Sequence, residues 1–250
     1  MSIIELDSVK YSWPGTSVPV IDIDHFSINQ GDKVFLKGPS GTGKSTLLGL
    51  IAGVNLPDRG EINVLGHNIN QMKGSQRDHF RADHMGYIFQ MFNLLPYLSV
   101  TENVCLPCHF SKRRKQKALA HSSSLPIEAR RLLNDLQLGD ELIHRPVAEL
   151  SIGQQQRVAA ARALIGQPEL VIADEPSSAL DTDARESFIN LLFQECERED
   201  STLLFVSHDN TLSPLFDHQI ELGNINRASS SNKPAPLSKH QQASVAMERI

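Results

Sequence analysis

The segment Gly38-Pro39-Ser40-Gly41-Thr42-Gly43-Lys44-Ser45 fits the pattern G-x-x-x-x-G-K-[ST] at every fixed position. It follows a strand-like run, KVFLK (33–37), and opens an apolar helix-like run, LLGLIAG. Gly38, Gly41 and Gly43 let the backbone curl until successive N–H groups point inward as an anion cradle. A helix beginning near Lys44 adds its positive end. Lys44 brings a point charge to β- and γ-phosphates, and the Ser45 hydroxyl can ligate Mg²⁺. A glycine-rich turn without a ligand is the plain alternative; the strand before and the helix after speak against it. The chemistry predicted is binding of a nucleoside triphosphate, with Thr46 continuing the same set.

Three further polar groups follow apolar, strand-like runs. LVIADEP (170–176) carries Asp174 and Glu175 at the end of a run that suits a strand buried on both faces. Ligands of open α/β sheets bind at the carboxyl ends of such strands. Asp174 is therefore expected to hold Mg²⁺ through water, and Glu175 to polarise the attacking water as general base. His208 ends LLFVSHD and is expected to contact the γ-phosphate, although a lone histidine is more often structural. Gln90 follows GYIF; its amide can ligate Mg²⁺ or orient water without adding charge.

A second anion-binding feature lies at Leu150-Ser151-Ile152-Gly153-Gln154, ahead of the alanine-rich run VAAARALIGQP. Ser151 with Gln154 three residues on is a capping box by sequence, and simple capping would explain it alone. The helix start nevertheless offers a serine and a glycine to an anion.

These groups need a sheet whose strands end together. Strand patterns occur at 3–9, 18–28, 33–37, 61–66, 85–89, 169–174 and 201–209, with a turn at Gly31-Asp32. From about 97 to 165 helical periodicity takes over, as in IEARRLLNDLQL, so a helical insert interrupts an α/β body. The basic run Lys112, Arg113, Arg114, Lys115 and Lys117 lies in that insert; it reads as a solvated helix face or loop, or as a contact to a membrane surface or membrane partner. The stretch 227–250, rich in Ser, Ala, Pro and Gln, reads as a disordered tail.

Composition narrows the function classes. The 250 residues are 40% hydrophobic and carry a net charge of −5, so no chain-wide basic field exists to hold nucleic acid. The most apolar stretch, 47–54, falls far short of the about 20 residues that cross a bilayer. No secretion signal is expected from the N-terminus. Cys105, Cys108 and Cys196 are too few for a disulfide scaffold. Cys105-Leu-Pro-Cys108-His109 fits a haem-attachment pattern and could start a zinc site, but no second cysteine pair follows and coincidence is the simpler reading.

Taken in order, GPSGTGKST, FQ (89–90), LSIGQQQR, LVIADEP, SSALD (177–181) and SHD (207–209) resemble the ATPase subunit of ABC transporters over about residues 1–225. YIFQMFNLLPYLSVTENVCLP resembles the lipoprotein-release, macrolide-export and cell-division branch. The resemblance implies an α/β fold: a P-loop NTPase (RecA-like) core with a parallel-rich sheet over 1–90 and 166–225. It further implies an N-terminal antiparallel β part, a helical signature subdomain over 91–165, and a tail from 226. It implies ATP and Mg²⁺ as cofactors, with Ser45, Gln90 and Asp174 on the metal. It also implies a head-to-tail homodimer in which Ser151, Gly153, Gln154 and Asp181 act in trans. Its permease would be a separate chain, and membrane contact would run only through that permease, on the cytoplasmic face of the inner or plasma membrane. The alternative is the same engine regulating an envelope enzyme through a permease-like partner; a soluble relative acting on DNA or ribosomes would need arms or tandem cassettes that this chain lacks. An aromatic residue near the N-terminus would stack on adenine: Trp13, beside Pro14-Gly15, or else Tyr11. The chain departs from the pattern at Ile152, where glycine is usual; an ordinary helical start is expected there.

Overall fold

Alternation along KVFLK sets the layering of the molecule. In the computed structural model, which describes residues 1–120, 122–176 and 182–228, Val34 and Leu36 face one hydrophobic core and Phe35 the other. Successive side chains of a strand point to opposite faces, so one short apolar run joins two cores.

In chain order, β1 (Ser2–Tyr11), β2 (Ile21–Asn29) and β3 (Lys33–Lys37) lead into α1 (Lys44–Ile51). Next come β4 (Arg59–Val64), β5 (His67–Asn68), α2 (Gly74–His84) and β6 (Met85–Ile88). The insert holds α3 (Val100–Phe110), α4 (Lys112–Ala120), α5 (Leu125–Asp135) and α6 (Ile152–Leu164). The chain then returns through β7 (Leu170–Asp174), α7 (Thr182–Arg198), β8 (Thr202–Ser207), β9 (His218–Glu221) and α8 (Leu222–Ile225). An antiparallel sheet has the order β2-β1-β4-β5, and a wholly parallel one the order β6-β7-β8-β3-β9.

Between the two sheets, Leu47, Leu48, Leu50 and Ile51 of α1 pack with Ile4, Leu6, Ile172 and Val206. The opposite face of the parallel sheet presents Phe35, Val171, Ala173 and Phe205 to α6 and α7 and, through them, to α3 and α5. The helical insert thus shares its core with the sheet. Small residues make this approach close: Ala159, Ala160, Ala161 and Ala163 of α6 are buried, and a β-carbon on Gly86 of β6 would lie 2.3 Å from the Ala163 carbonyl oxygen.

Two expectations need correction. The basic run is a solvated face at Lys112, Arg113 and Lys115, which are exposed, but not at Arg114. Arg114 is buried and donates to the carbonyls of Ile165 (2.7 Å), Met85 (3.2 Å), Arg162 (3.3 Å) and Ala163 (2.6 Å). Arg113 and Lys117 both pair with Glu169. The end of α6 leaves carbonyls without helical partners, and an arginine fork satisfies several of them at once. Asn226, Arg227 and Ala228, expected in the tail, instead pack on β2: the Arg227 N–H donates to the Asp22 carbonyl (2.9 Å), and Asn226 and Ala228 are buried. Residues 229–250 lie outside the described residues.

Burial lowers the Arg114 pKa to about 10, which keeps it charged at neutral pH. Arg114→Ala should cost about 3–5 kcal/mol in urea unfolding, because it strands buried carbonyls. Lys115→Ala, on the exposed side of the same turn, should stay within about 0.5 kcal/mol.

Candidate functional site

Parallel order turns motifs distant in sequence into neighbours. Gln90 follows β6, Asp174 ends β7, His208 follows β8 and the glycine-rich loop follows β3. These four strands are consecutive in the sheet, in a register that sets Ile88 beside Ala173, Asp174 beside Val206, and Lys37 beside Ser207. Their carboxyl ends share one edge.

A cleft of about 460 Å³ opens there. It is lined by Ser40, Gly41, Gly43, Lys44, Ser45 and Thr46 of the loop, by Gln90, Asp174, Glu175 and His208 of the strand ends, and by Trp13 and Val20. Gly38, Pro39 and Thr42 complete the loop without lining the cleft. Gly43 immediately precedes α1 with φ 99°, a conformation that glycine adopts without steric cost. Lys44 lies under the loop and donates to the carbonyls of Gly38 (2.6 Å) and Pro39 (3.2 Å).

The carboxylates differ in their surroundings. Ser45 Oγ donates to Asp174 Oδ2 (3.3 Å). Burial pushes the Asp174 carboxyl above its ordinary range, and the Glu175 charge adds to this against the Ser45 hydrogen bond. Glu175 is buried and sits at φ 49°, left-handed for a non-glycine residue, with its N–H donating to the Val206 carbonyl (2.9 Å). Such a backbone costs of order 1 kcal/mol and gathers at functional positions. Its carboxylate accepts from His208 Nδ1–H (2.8 Å) and from Ser207 Oγ (3.4 Å). The carboxylate assigns the histidine proton to Nδ1.

Trp13 and Tyr11 separate by burial. Tyr11 is 6% exposed within the core and Trp13 is 45% exposed on the cleft, their rings edge to face at 5.3 Å. Of the trans set, Ser151, Gly153 and Gln154 do not line this cleft, and Asp181 lies outside the described residues. Ser151 caps α6 as its spacing predicts: its Oγ accepts from the Gln154 N–H (3.3 Å), and its own N–H donates to Gln154 Oε1 (2.9 Å). Ile152 is the first residue of α6 and has no positive φ.

Sequence reading passed over several supporting residues. Arg162 of α6 donates to the carbonyls of Phe92 and Asn93 (2.7 Å to the latter). Both residues have positive φ in the loop after Gln90. Buried Asn103 holds the next segment, accepting from the Leu95 N–H (2.8 Å) and donating to the carbonyls of Leu95, Leu98 and Ser99. Neither has a local pattern that marks it. Cys105 and Cys108 are buried on α3, where desolvation raises both thiols. Among the described residues, no group of three His, Cys, Asp or Glu side chains could hold a metal ion.

A family model described as "ABC transporter" matches residues 21–178. The chain belongs to that family. It is an ATP-binding and ATP-hydrolysing cassette of an ABC transporter, and its hydrolysis is coupled to transport. The lipoprotein-releasing system ATP-binding protein LolD of Bacteroides fragilis is 37% identical over 224 residues, covering 89% of this chain and 99% of that protein. The uncharacterized ABC transporter ATP-binding protein YbbA of Escherichia coli is 39% identical over 197 residues, covering 79% and 83%. Among solved structures, the dimeric post-hydrolysis state of the ATP-binding cassette MJ0796, bound to ADP and Pi, superposes with a TM-score of 0.75 at 29% identity, covering 90% of this chain and 95% of that one. The parallel core and the antiparallel sheet are those of a P-loop ATPase cassette.

The Asp174 environment gives a sign. A carboxyl whose pKa is raised by folding opposes folding once it ionises. Asp174→Asn should therefore raise the thermal midpoint of the nucleotide-free protein at pH 7 by about 2 °C, a small gain because the group is only part-buried and solvent-screened. The gain should vanish as pH falls through the ordinary aspartate range, while ATPase activity is lost at every pH.

Proposed function

We propose that two copies of this chain clamp two ATP molecules head to tail, each supplying part of both reactive sites. The observation that carries this reading is the division of the anion-binding features. The loop 38–46 and the strand ends share one cleft, while the capped start of α6 contributes nothing to it and leaves Ser151 and Ile152 exposed. A serine, a glycine and a helix N-terminus that lie outside their own cleft suit the phosphates held by a second copy. The MJ0796 cassette, solved as a dimer bound to ADP and Pi, supports the pairing of two copies.

Within each site, Trp13 stacks on adenine, the loop amides surround the phosphates, and Lys44 gives its ammonium to the β- and γ-oxygens. Ser45, Gln90 and Asp174 are the oxygen donors that suit Mg²⁺, whose bound charge would neutralise the phosphate oxygens. Glu175 takes the proton of the attacking water. His208 lines the same cleft, bonded through Nδ1 to Glu175, and contacts the γ-phosphate. Asp181 completes the shared face.

The engine serves a separate permease at the cytoplasmic face of the inner membrane. Among the described residues no helix is long and apolar enough to cross a membrane. The LolD relatives are named as ATP-binding proteins of a releasing system. A mostly apolar groove of about 350 Å³, lined by Arg81, Tyr87, Phe89, Leu106, Pro107 and Phe110, lies beside the loop that follows Gln90. Phe110 in this groove is 73% exposed, and Met91 and Tyr97 in the segment that follows Gln90 are 81% and 77% exposed. Exposed apolar surface of this kind marks a protein contact, and we assign it to the permease.

Two outcomes test this reading. Lys44→Ala and Ser151→Ala proteins, each inactive alone, should regain ATPase activity on mixing, because a mixed pair contains one intact composite site; no recovery would exclude action in trans. Phe110→Asp should leave the ATPase rate of the isolated protein within about twofold while abolishing co-sedimentation with permease-containing membranes.

A further inference from the structure

The last described stretch of chain packs against the glycine-rich loop and the start of β2. β9 runs beside β3, and α8 brings the fully buried Leu222 against the loop; a β-carbon on Gly38 would lie 3.6 Å from Leu222 Cβ. The chain leaves α8 at Asn226, which is 1% exposed. Its Oδ1 accepts from the N–H groups of Asp22 (2.8 Å) and Ala228 (3.3 Å). Its Nδ2 donates to the carbonyls of Val20 (2.8 Å) and Thr42 (3.3 Å). Two donors and two acceptors saturate the amide, and partners of opposite kind permit only one orientation.

The two carbonyls belong to opposite parts of the cleft. Val20 lines it with Trp13, on the side where the base is proposed to stack; Thr42 lies between Gly41 and Gly43, which line the phosphate side. The segments also touch directly, since a β-carbon on Gly43 would meet Ile21 Cδ1 at 3.0 Å and Val20 Cγ1 at 3.2 Å. The hydrogen bonds of the Asn226 side chain join the two segments. We infer that Asn226 is a positioning residue for nucleotide selection: it fixes the spacing between the base wall and the phosphate loop, so that base and triphosphate engage together. A ligand held at two points gains affinity over one held at a single point only when the distance between the points matches it. The inference rests on the proposed placement of adenine at Trp13.

The test compares ATP with inorganic tripolyphosphate, which engages the loop and not the base wall, by calorimetric titration of the full chain. In Asn226→Ala the dissociation constant for ATP should rise about tenfold, and that for tripolyphosphate by less than about threefold. Asn226→Asp keeps the acceptor for Asp22 and Ala228 while removing both donors, and should show the same split even if the alanine variant fails to fold. Equal losses for both ligands, or no loss for ATP in a folded variant, overturn the inference. Trp13→Ala separates it from the reading beneath it. Wild type should prefer ATP over tripolyphosphate, and Trp13→Ala should erase the preference. If wild type shows no preference, or Trp13→Ala keeps it, the placement of adenine fails and the inference with it. If Trp13→Ala erases the preference and the Asn226 variants keep it, the inference alone fails.

Discussion

The site depends on one constraint: the strands of a parallel sheet all end on the same edge. Gln90, Asp174, Glu175, His208 and the glycine-rich loop come from four segments with no sequence continuity, and only adjacent parallel strands deliver them to one cleft. Register is fixed because both faces of β3, β7 and β8 are buried; slipping a strand by one residue would exchange Phe35 with its neighbours between the two cores. The polar chemistry at the edge is thus held by apolar packing beneath it. The strain at Glu175 is tolerated for the same reason. Its neighbour Asp174 is paired to Val206 in the ladder, and its own N–H continues that ladder to the Val206 carbonyl.

The helical insert is held by charge as well as by shape. Arg114 gathers the terminal carbonyls of α6 and Met85 of β6, and Arg162 grips the loop that follows Gln90. Both arginines line the groove assigned to the permease. On the opposite side, Arg131 of α5 pairs with Glu128, Asp135, Glu195 and Glu199, tying α5 to α7. Arg162 thereby ties the groove to the loop that follows Gln90 through two backbone carbonyls, beside the apolar contacts of Phe89 and Phe92. Hydrogen bonds to a charged guanidinium are directional and strong, which makes Arg162 a firm link between the groove and that loop.

Legibility in the sequence followed the range of each interaction. The glycine-rich loop, the capping box at Ser151 and the apolar run before Asp174 are local patterns whose physics is complete within ten residues, and they lie in the structure as read. Trp13 separated from Tyr11 only in three dimensions, because burial of Tyr11 depends on strands far away in sequence. Within the basic run Arg114 departed from a solvated face, because a charge pattern reports composition and not the partners available. Arg114 is buried because α6 ends there with unpaired carbonyls, a fact about residues some fifty positions on. Asn226 was hidden in the same way, at the start of the expected tail, and its four partners come from Val20, Asp22, Thr42 and Ala228.

Ile152 shows how a departure from a family pattern can be neutral at one level and informative at another. Glycine is dispensable for the backbone there, since α6 begins at Ile152 without a positive φ and the capping box does not use its side chain. What changes is the surface: a branched apolar side chain, 55% exposed, stands beside Ser151. On an isolated chain it gains nothing from that exposure. In the proposed head-to-tail pair the same residue would be carried with Ser151 and Gly153 toward the second copy's nucleotide, and covering it would add apolar burial to a contact otherwise built on phosphate charge. The β-branched residue at this position thus fits a cassette whose signature segment works against a partner copy better than one whose signature segment faces solvent.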